Sequence, residues 1–464
     1  MLSLTGSLAL NPISPMSQAL DEIVAGAPQT RVLELRPGAL DELPRIFQRH
    51  FASAKPLIVA DPTTYRVAGQ TALELLLAAG HPEAARFVFE DPAFYAEQSY
   101  VTQLQRKLRQ EPRLVPVAVG SGTISDVVKL AAHEAGRRYL AIATAASMDG
   151  YTAFGASITR HASKQTRPCA APLAVIADLS IIAAAPAALS AAGYADLLAK
   201  MTAGADWILA AELGVEPIHQ KAWDLAQSRL LEAVENPAQI RSGGLEAIQS
   251  LTEGLLLTGF AMQFAESSRP ASGAEHQFSH LLDMRHHTVN GMSPLHGFKV
   301  GLGILAVAAL YEYILKQPLD KLDISRCCDA WPEESRLESI IRRIFPDRQL
   351  AEVALVETRA KHNTVAELRD QLLLLRRQWP GLAQRLRRQL ISFARFKQML
   401  REAGAPVEPE EIGLTRRCLR ESFVAAYHLR RRFTVLDLAV RTGLLDSALD
   451  QIFAPGGHFD QRAG

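Results

Sequence analysis

A chain of 464 residues that is 48% hydrophobic and 21% charged is long and apolar enough to bury two cores, so we expect two globular domains. Its formal net charge of +1 and its aromatic content of 6% give no basis for a nucleic-acid partner. The four cysteines show no CxxC spacing and no disulfide framework, which predicts a reducing, cytoplasmic environment.

Two apolar segments could be mistaken for membrane or targeting sequences. No basic segment precedes residues 8–10, and prolines interrupt the apolar run that follows, so we expect no signal peptide. The most apolar window, residues 173–192, contains Asp178 and Pro186 and is rich in alanine. We interpret it as a buried strand followed by a tightly packed helix, and we expect no membrane partner.

In the first part of the chain, short apolar segments alternate with helix-length segments. Strands that are apolar on both faces and separated by helices indicate a parallel sheet covered on both sides. This pattern predicts a doubly wound, Rossmann-like α/β fold. The predicted strands are 31–35, 56–61, 86–90, 114–120, 139–144 and 171–178, and the predicted helices between them are about 40–50, 65–79, 97–109 and 124–136.

From about Pro186 onward the strand signal disappears and long amphipathic segments follow one another. We therefore predict a nucleotide-binding α/β domain at residues 1–183 and an all-helical domain at residues 184–464. A cleft between them could bring a cofactor on the sheet close to a metal on the helices. The predicted helices are 187–213, 218–234, 244–266, 273–283, 298–316 and several more up to about residue 452.

A glycine turn in VGSGTISDVVK joins the predicted strand 114–120 to the next helix. Glycines let the backbone approach a pyrophosphate, and the first N–H groups of the helix point toward it. A purely structural turn remains an alternative, because the segment is not a GxGxxG fingerprint. The candidate cofactor-binding residues of this turn are Gly120, Gly122, Thr123, Ile124, Ser125 and Asp126.

Other polar residues follow neighbouring strands at the same edge of the predicted sheet. Asp61 ends the strand 56–61, where its carboxylate could accept hydrogen bonds from a ribose or cap the next helix. Thr144 and Ser147 follow the strand 139–144 and could bind the cofactor. Asp149 could hold a substrate hydroxyl, or it could simply close a turn with the glycine after it.

Five of the 13 histidines, at positions 276, 280, 286, 287 and 296, fall within thirty residues. His276 and His280 have i,i+4 spacing and would share one face of a helix, and His296 directly precedes a new apolar helix. Imidazoles from neighbouring helices can converge on one metal ion. Surface or helix-capping histidines are the alternative.

Asp196 lies inside the otherwise apolar helical segment GYADLLAK, where an unpaired carboxylate would be costly. It is therefore the candidate third metal ligand, because a buried carboxylate needs a cation nearby. Lys200 lies one helical turn further on and could be that cation instead, in an i,i+4 ion pair.

Taken together, these motifs resemble a known family. GSGTISDVVK, TAASMDGY, GYADLLAKMTAGADW, SGAEHQFSH and LHGFKVGLG, in this order, resemble the bacterial AraM-type sn-glycerol-1-phosphate dehydrogenases. These belong to the superfamily of iron-containing alcohol dehydrogenases and dehydroquinate synthases. The tail segments GAPVEPEEIGL and RRRFTVLDLAVRTGLLD are similar as well, so the resemblance covers roughly residues 30 to 450.

The resemblance implies a metal-dependent, NAD- or NADP-linked reduction of dihydroxyacetone phosphate to sn-glycerol 1-phosphate. It implies metal ligation by Asp196, His276 and His296, with His280 and Asp149 beside the substrate. The nucleotide would lie along residues 122–126 and 144–147, with Asp61 at the ribose. A homodimer is implied too. Two imidazoles and a carboxylate suit zinc, nickel or iron.

One departure from the family is Ala153, which stands where the family often has serine and which puts one cofactor contact in doubt. Three alternative functions remain open. The first is a dehydrogenase for another polyol or sugar phosphate. The second is a dehydroquinate-synthase-like lyase, although that family carries Glu where this chain has Asp196. The third is a non-catalytic scaffold that binds an acidic partner through its arginine-rich C-terminal helices.

Overall fold

A computed structural model describes residues 15–92, 94–160 and 163–460, so the apolar segment 8–10 lies outside the described residues. Within the described ranges the first part of the chain contains the strands. They are β1 (Val32–Arg36), β2 (Lys55–Ala60), β3 (Ala85–Val88), β4 (Leu114–Gly120), β5 (Leu140–Ala143), β6 (Ala156–Arg160), β7 (Ser163–Arg167) and β8 (Ala174–Asp178).

Helices separate the strands and then make up the rest of the described chain. Those up to the last strand are α1 (Pro15–Gly26), α2 (Leu43–Phe51), α3 (Pro62–Thr64), α4 (Gln70–Ala78), α5 (Gln98–Gln110) and α6 (Gly122–Glu134). Those after it are α7 (Leu179–Ala183), α8 (Ala187–Leu198), α9 (Lys200–Glu212), α10 (Gln220–Gln227), α11 (Leu230–Ala233), α12 (Pro237–Arg241), α13 (Leu245–Ala265), α14 (Ala274–Met284), α15 (His296–Ile314), α16 (Ile324–Ala330), α17 (Glu334–Ile344), α18 (Arg348–Arg359), α19 (Val365–Gln389), α20 (Phe393–Ala403), α21 (Arg416–Tyr427), α22 (Val435–Arg441) and α23 (Leu445–Ile452).

Six parallel strands form one sheet in the order β1-β8-β5-β4-β2-β3, which confirms the predicted α/β fold followed by helices. The central strands β4, β5 and β8 are buried along their whole length, as continuous apolar sequences predict for a sheet covered on both faces. The chain runs outward from β2 to β3 and in the opposite direction from β4 to β5. Such a reversal between neighbouring strands creates a crevice at their carboxyl ends, where ligands bind.

A second, two-stranded antiparallel sheet, β6 with β7, was not predicted. Its first strand, β6, begins at Ala156, between the predicted strands 139–144 and 171–178, where no strand was predicted. The hairpin is short and polar, so it lacks the apolar signal that identified the strands of the main sheet. It nevertheless brings β7 to the candidate active site described below.

Two predicted helices are broken in the structure. The predicted helix 187–213 is divided at Ala199 into α8 and α9, and the predicted helix 218–234 is divided into α10 and α11. The helices predicted at 244–266, 273–283 and 298–316 correspond to α13, α14 and α15. One apolar core continues from Val175 in the sheet to these helices, and the domain division at residues 183 and 184 stays a prediction.

Close backbone contacts fix the helices against the sheet. A Cβ at Gly193 in α8 would lie 1.9 Å from the carbonyl oxygen of Ala146, in the loop after β5. A Cβ at Gly297 in α15 would lie 1.8 Å from the carbonyl oxygen of Ala192 in α8. Only glycine allows these approaches, which hold α8 against both the loop and α15.

One helix of the described chain, α15, is long and apolar enough to cross a membrane. However, 89% of its apolar window is buried inside the protein, which is the ordinary situation of a core helix. The apolar window 173–192 forms β8, α7 and the start of α8, which confirms the strand followed by a packed helix.

Candidate active site

A cavity of about 280 Å³ lies between the carboxyl ends of β4 and β5 and the helices α8, α14 and α15. The hairpin of β6 and β7 forms another wall. The structure therefore brings together residues that are far apart in the sequence, from Ala96 to His296. Of the predicted site residues, Gly122, Thr123, Asp126, Ser147, Asp149, His276, His280 and His296 line this cavity.

Three helices bring the predicted metal ligands to one point. Asp196 in α8, His276 in α14 and His296 at the start of α15 each offer a ligand atom, and these atoms lie within 4.8 Å of one another. The Nε2 atom of His276 is 3.4 Å from Oδ1 of Asp196, and the His276 and His296 ring centroids are 5.4 Å apart. The arrangement has the size and the donor types of a three-ligand divalent metal site.

The second nitrogen of each imidazole is held by a neighbour. The His276 Nδ1 lies 2.8 Å from Oε1 of Glu275, and the His296 Nδ1 lies 3.3 Å from Oγ of Ser279. Metal-binding histidines are usually oriented in this way, which leaves Nε2 for the metal. Although burial opposes protonation, the bonds to Asp196 and Glu275 raise the pKa of His276.

Lys200 contacts the same carboxylates. Its Nζ lies 2.8 Å from Oδ1 of Asp196 and 2.7 Å from Oδ2 of Asp149, so the i,i+4 pair that we considered as an alternative is present. The backbone N–H of Asp149 also donates to Oδ2 of Asp196, at 3.0 Å. Because each carboxylate oxygen has two lone pairs, these bonds are compatible with a metal on Asp196.

Burial and neighbouring charges set the protonation of the other site residues. Although burial opposes ionisation, Lys200 and His276 hold the pKa of Asp196 well below its usual range. Burial lowers the pKa of His296 to about 3, so this imidazole is neutral near pH 7. Burial, and then the charge of Asp196, raises the pKa of Asp149. The carboxylate and the neutral imidazole are the forms that bind metals.

His280 lies one helical turn after His276, with ring centroids 6.5 Å apart. Burial, and then the nearby charge of Arg430, lowers the pKa of His280 well below its usual value. The Arg430 Nη2 lies 3.3 Å from the His280 Nδ1, and a guanidinium can only donate. His280 is therefore a neutral imidazole whose proton is on Nε2, beside the candidate metal ligands.

The glycine turn after β4 leads directly into α6. A Cβ at Gly120 would lie 2.7 Å from the Cβ of Ile124, so the tight turn requires glycine there. The Ser121 side chain does not cap α6, whose first residue, Gly122, lines the cavity. An uncapped helix N-terminus beside a cavity suits an anionic group such as a pyrophosphate.

The remaining candidates of this segment differ in placement. Thr123, Asp126 and Ser147 line the cavity, and burial raises the pKa of Asp126 to about 6. Ile124 packs in the core. Ser125 donates its N–H to the carbonyl of Ser121, Thr144 donates its N–H to the carbonyl of Gly120, and neither is among the residues that line the cavity. Their roles in cofactor binding stay predictions.

Asp61 lies directly after β2, at the crevice where the strand order reverses. Its Oδ1 accepts hydrogen bonds from the N–H groups of Thr63 at 2.8 Å and Thr64 at 2.9 Å, so it caps α3. This is the alternative that the sequence had left open. Both bonds use Oδ1, and capping is therefore compatible with a ribose contact through Oδ2, which stays a prediction.

A buried lysine that we had not singled out holds the loop of Asp149. The Lys129 Nζ donates to the carbonyls of Gly150 at 2.9 Å, Ala153 at 2.8 Å and Gly155 at 3.0 Å. Ala153, the position that departs from the family, lines the cavity beside it. Lys129 thus connects α6 to the loop. In the sequence, its i,i+3 spacing from Asp126 could have suggested that it lies near the site.

The two other histidines of the cluster lie elsewhere. His286 follows α14 with a φ of 51° and is exposed. His287 places its Nε2 2.6 Å from the carbonyl oxygen of Ile412 and contributes to loop packing. Neither lines the cavity, and both lie in the loop between the end of α14 at Met284 and the start of α15 at His296.

Solved structures with a similar fold are alcohol and polyol dehydrogenases. A probable glycerol dehydrogenase from Sinorhizobium meliloti superposes with a TM-score of 0.57 at 17% identity, covering 91% of this chain and 98% of that one. The NADH-dependent butanol dehydrogenase A of Thermotoga maritima superposes with a TM-score of 0.56 at 14% identity, covering 90% and 96%. At these identities the comparison establishes the fold.

Sequence comparison agrees with the fold. Residues 34–186 match the family model described as iron-containing alcohol dehydrogenase. This segment contains the parallel sheet and the glycine turn. Over this segment, the chain therefore resembles the class of the iron-containing alcohol dehydrogenases.

Curated relatives identify the family within this class. The chain is 32% identical over 319 residues to the glycerol-1-phosphate dehydrogenase (NAD(P)+) of Halalkalibacterium halodurans, covering 65% of this chain and 80% of the relative. It therefore belongs to the glycerol-1-phosphate dehydrogenase family. The enzyme of that name from Geobacillus thermodenitrificans is 28% identical over 440 residues, covering 91% and 97%.

Proposed function

We propose that this protein catalyses the reversible, NAD(P)H-linked and metal-dependent reduction of dihydroxyacetone phosphate to sn-glycerol 1-phosphate. The observation that carries the proposal is the convergence of Asp196, His276 and His296 on a cavity that also contains the uncapped start of α6. Relatives named glycerol-1-phosphate dehydrogenase (NAD(P)+) support the substrate and the cofactor.

In the proposed complex the nucleotide lies along the crevice at the carboxyl ends of β2 and β4. Its pyrophosphate contacts the N–H groups at the start of α6, from Gly122 to Thr123, and its ribose contacts Asp61. Ser147 adds a hydroxyl from the loop after β5. When bound, the nicotinamide supplies a hydride to the ketone carbon.

Asp196, His276 and His296 would hold one divalent ion, zinc, nickel or iron, which as a Lewis acid polarises the ketone and stabilises negative charge on its oxygen. His280 lines the same cavity and relays a proton from solvent water to the oxygen of the product hydroxyl, so that the imidazole is neutral again at the end of the step. Asp149, whose backbone and side chain are fixed by Asp196 and Lys200, accepts a hydrogen bond from a substrate hydroxyl.

We also propose that the enzyme is a cytoplasmic homodimer. The four cysteines are free in the structure, as expected for a reducing compartment. A dehydrogenase for another polyol or sugar phosphate is the second candidate, because similar folds include a glycerol dehydrogenase and a butanol dehydrogenase.

A substrate screen tests the proposal. Purified protein is stripped of metal, reloaded separately with zinc, nickel or iron, and assayed for loss of NADH or NADPH absorbance with dihydroxyacetone phosphate, dihydroxyacetone and other ketone phosphates. We expect the highest kcat/KM with dihydroxyacetone phosphate and no turnover without metal. Equal or higher values for another ketone phosphate would support the second candidate instead.

A further inference from the structure

A second cavity of about 450 Å³ adjoins the first. His280, Thr166, Ser268 and Ser272 line both cavities, so they form the shared wall. The far side of the second cavity is the segment 430–433 between α21 and α22. A ligand in either cavity would therefore lie beside His280.

Arg430 brings a positive charge to this shared wall, and the carboxylate of Glu357, which lines the same second cavity, lies close enough to act on it electrostatically. Its Nη2 lies 3.2 Å from the carbonyl oxygen of Lys164 and 3.3 Å from Nδ1 of His280. Across the described ranges no carboxylate forms an ion pair with its guanidinium. The adjacent Arg431 differs, because it is exposed and binds both carboxylate oxygens of Glu357.

Lys164 adds to this charge from the first cavity, which it lines. Its Nζ lies 2.8 Å from Oδ2 of Asp283, but Lys299 binds the other oxygen of the same carboxylate. Two ammonium groups thus share one negative charge. With Arg430 included, the wall beside His280 carries an excess of positive charge that a bound anion would neutralise.

Gln277 provides an independent sign of a ligand. It is only 2% exposed and lines the second cavity, one turn before Leu281 and on the same helix as His280. Within the described ranges neither its Nε2 nor its Oε1 has a hydrogen-bond partner. A buried amide without partners costs free energy, and a ligand that accepts a hydrogen bond from Nε2 would remove that cost.

The opposite end of the first cavity carries two carboxylates, Asp149 and Asp196, which both form an ion pair with Lys200. The two ends are about one helical turn apart, the separation between His276 and His280. A substrate with a polarised ketone at one end and a phosphate a few covalent bonds away matches this charge distribution.

We propose that Arg430, Gln277 and Lys164 form the binding site for the phosphate group of the substrate. This assignment rests on the proposed function for the substrate, and it adds the residues that would select a phosphorylated ketone over an unphosphorylated one. Arg430 donates from its guanidinium, Gln277 from its amide, and Lys164 contributes charge. Because Arg430 also donates to His280, phosphate binding and orientation of the proton donor are coupled.

The test compares dihydroxyacetone phosphate with dihydroxyacetone, which differ only in the phosphate. For Arg430→Met and Gln277→Leu we expect the ratio of the two kcat/KM values to fall on the order of 10- to 100-fold, as expected for loss of a hydrogen bond to a charged group. Any effect of Arg430→Met on His280 that is common to both substrates cancels in this ratio. Arg431→Met is the matched control and should leave the ratio unchanged.

Gln277→Leu also separates binding from folding. Because the amide has no partners in the described protein, leucine should keep or raise the melting temperature while the ratio falls. An unchanged ratio in both Arg430→Met and Gln277→Leu, with dihydroxyacetone phosphate reduced normally by the wild type, would overturn the assignment. A fall of the kcat/KM ratio in Arg431→Met but not in the other two variants would also overturn the assignment.

Inorganic phosphate provides a readout that does not depend on turnover. We expect it to raise the melting temperature of the wild-type protein and of Arg431→Met, but not of Arg430→Met. If this pattern holds and no ketone phosphate is reduced, the anion site stands and the proposed function fails. If dihydroxyacetone phosphate is reduced and phosphate stabilises Arg430→Met as it does the wild type, the anion site fails.

Discussion

Replacing His276 or His296 with alanine is expected to remove the metal and to lower kcat/KM on the order of a thousandfold, since Lewis-acid stabilisation is worth several kcal/mol. Each substitution removes one of the three ligand atoms that lie within 4.8 Å of one another. Metal content is measured by elemental analysis of protein purified with one equivalent of zinc or nickel, and activity is measured on the same samples.

His286→Ala is the matched control, because this histidine belongs to the same cluster in sequence but is exposed outside the cavity. It should retain both metal and activity. Full metal content in both His276→Ala and His296→Ala would contradict the metal site. The ion pair of Asp196 with Lys200 would then have only a structural role.

His280→Ala is expected to lower kcat by roughly 10²- to 10⁴-fold while leaving the metal content unchanged, because a lost proton donor slows the chemical step without removing a ligand. His280 lines the cavity, and its Nδ1 accepts a hydrogen bond from Arg430, which leaves its Nε2–H as the donor. Elemental analysis and steady-state kinetics of the same preparation separate the two effects.

Loss of metal together with activity would make His280 a ligand rather than a proton donor. A kcat within a few-fold of the wild type would assign proton delivery to water. In either case the role proposed for His280 would be wrong, although the ligand set of Asp196, His276 and His296 could still stand.

The main sheet could be predicted because its strands carry a strong local signal. LVPVAVG and APLAVIAD are continuous apolar segments with helix-length separations, and the structure has β4 and β8 there. The hairpin of β6 and β7 was missed because residues such as Ser157 and Lys164 are polar and its stability depends on packing that sequence periodicity does not report. The break at Ala199 was missed for a similar reason, since alanine favours helix and only tertiary contacts divide α8 from α9.

The candidate ligands could also be found in the sequence, because histidine spacing and a carboxylate in an apolar helix are unusual. Spacing alone could not decide which histidines share one metal site, since His286 and His287 lie in the same segment as His276. The positive charge beside His280, from Lys164 and Arg430, could not be predicted either. Lys164 comes from the hairpin and Arg430 from a loop 266 residues later, and no periodic pattern connects two such positions.

Isotope transfer is the most direct test of the central claim, that this cavity reduces a ketone with hydride from a nicotinamide. Metal-loaded protein is incubated with dihydroxyacetone phosphate and NADH deuterated at the transferable position, and the product is analysed by mass spectrometry and by its stereochemistry. We expect sn-glycerol 1-phosphate with a single deuterium on the central carbon and an equal amount of NAD⁺. Product without deuterium, or a nucleotide returned to its starting state as in a dehydroquinate-synthase-like lyase, would contradict the account.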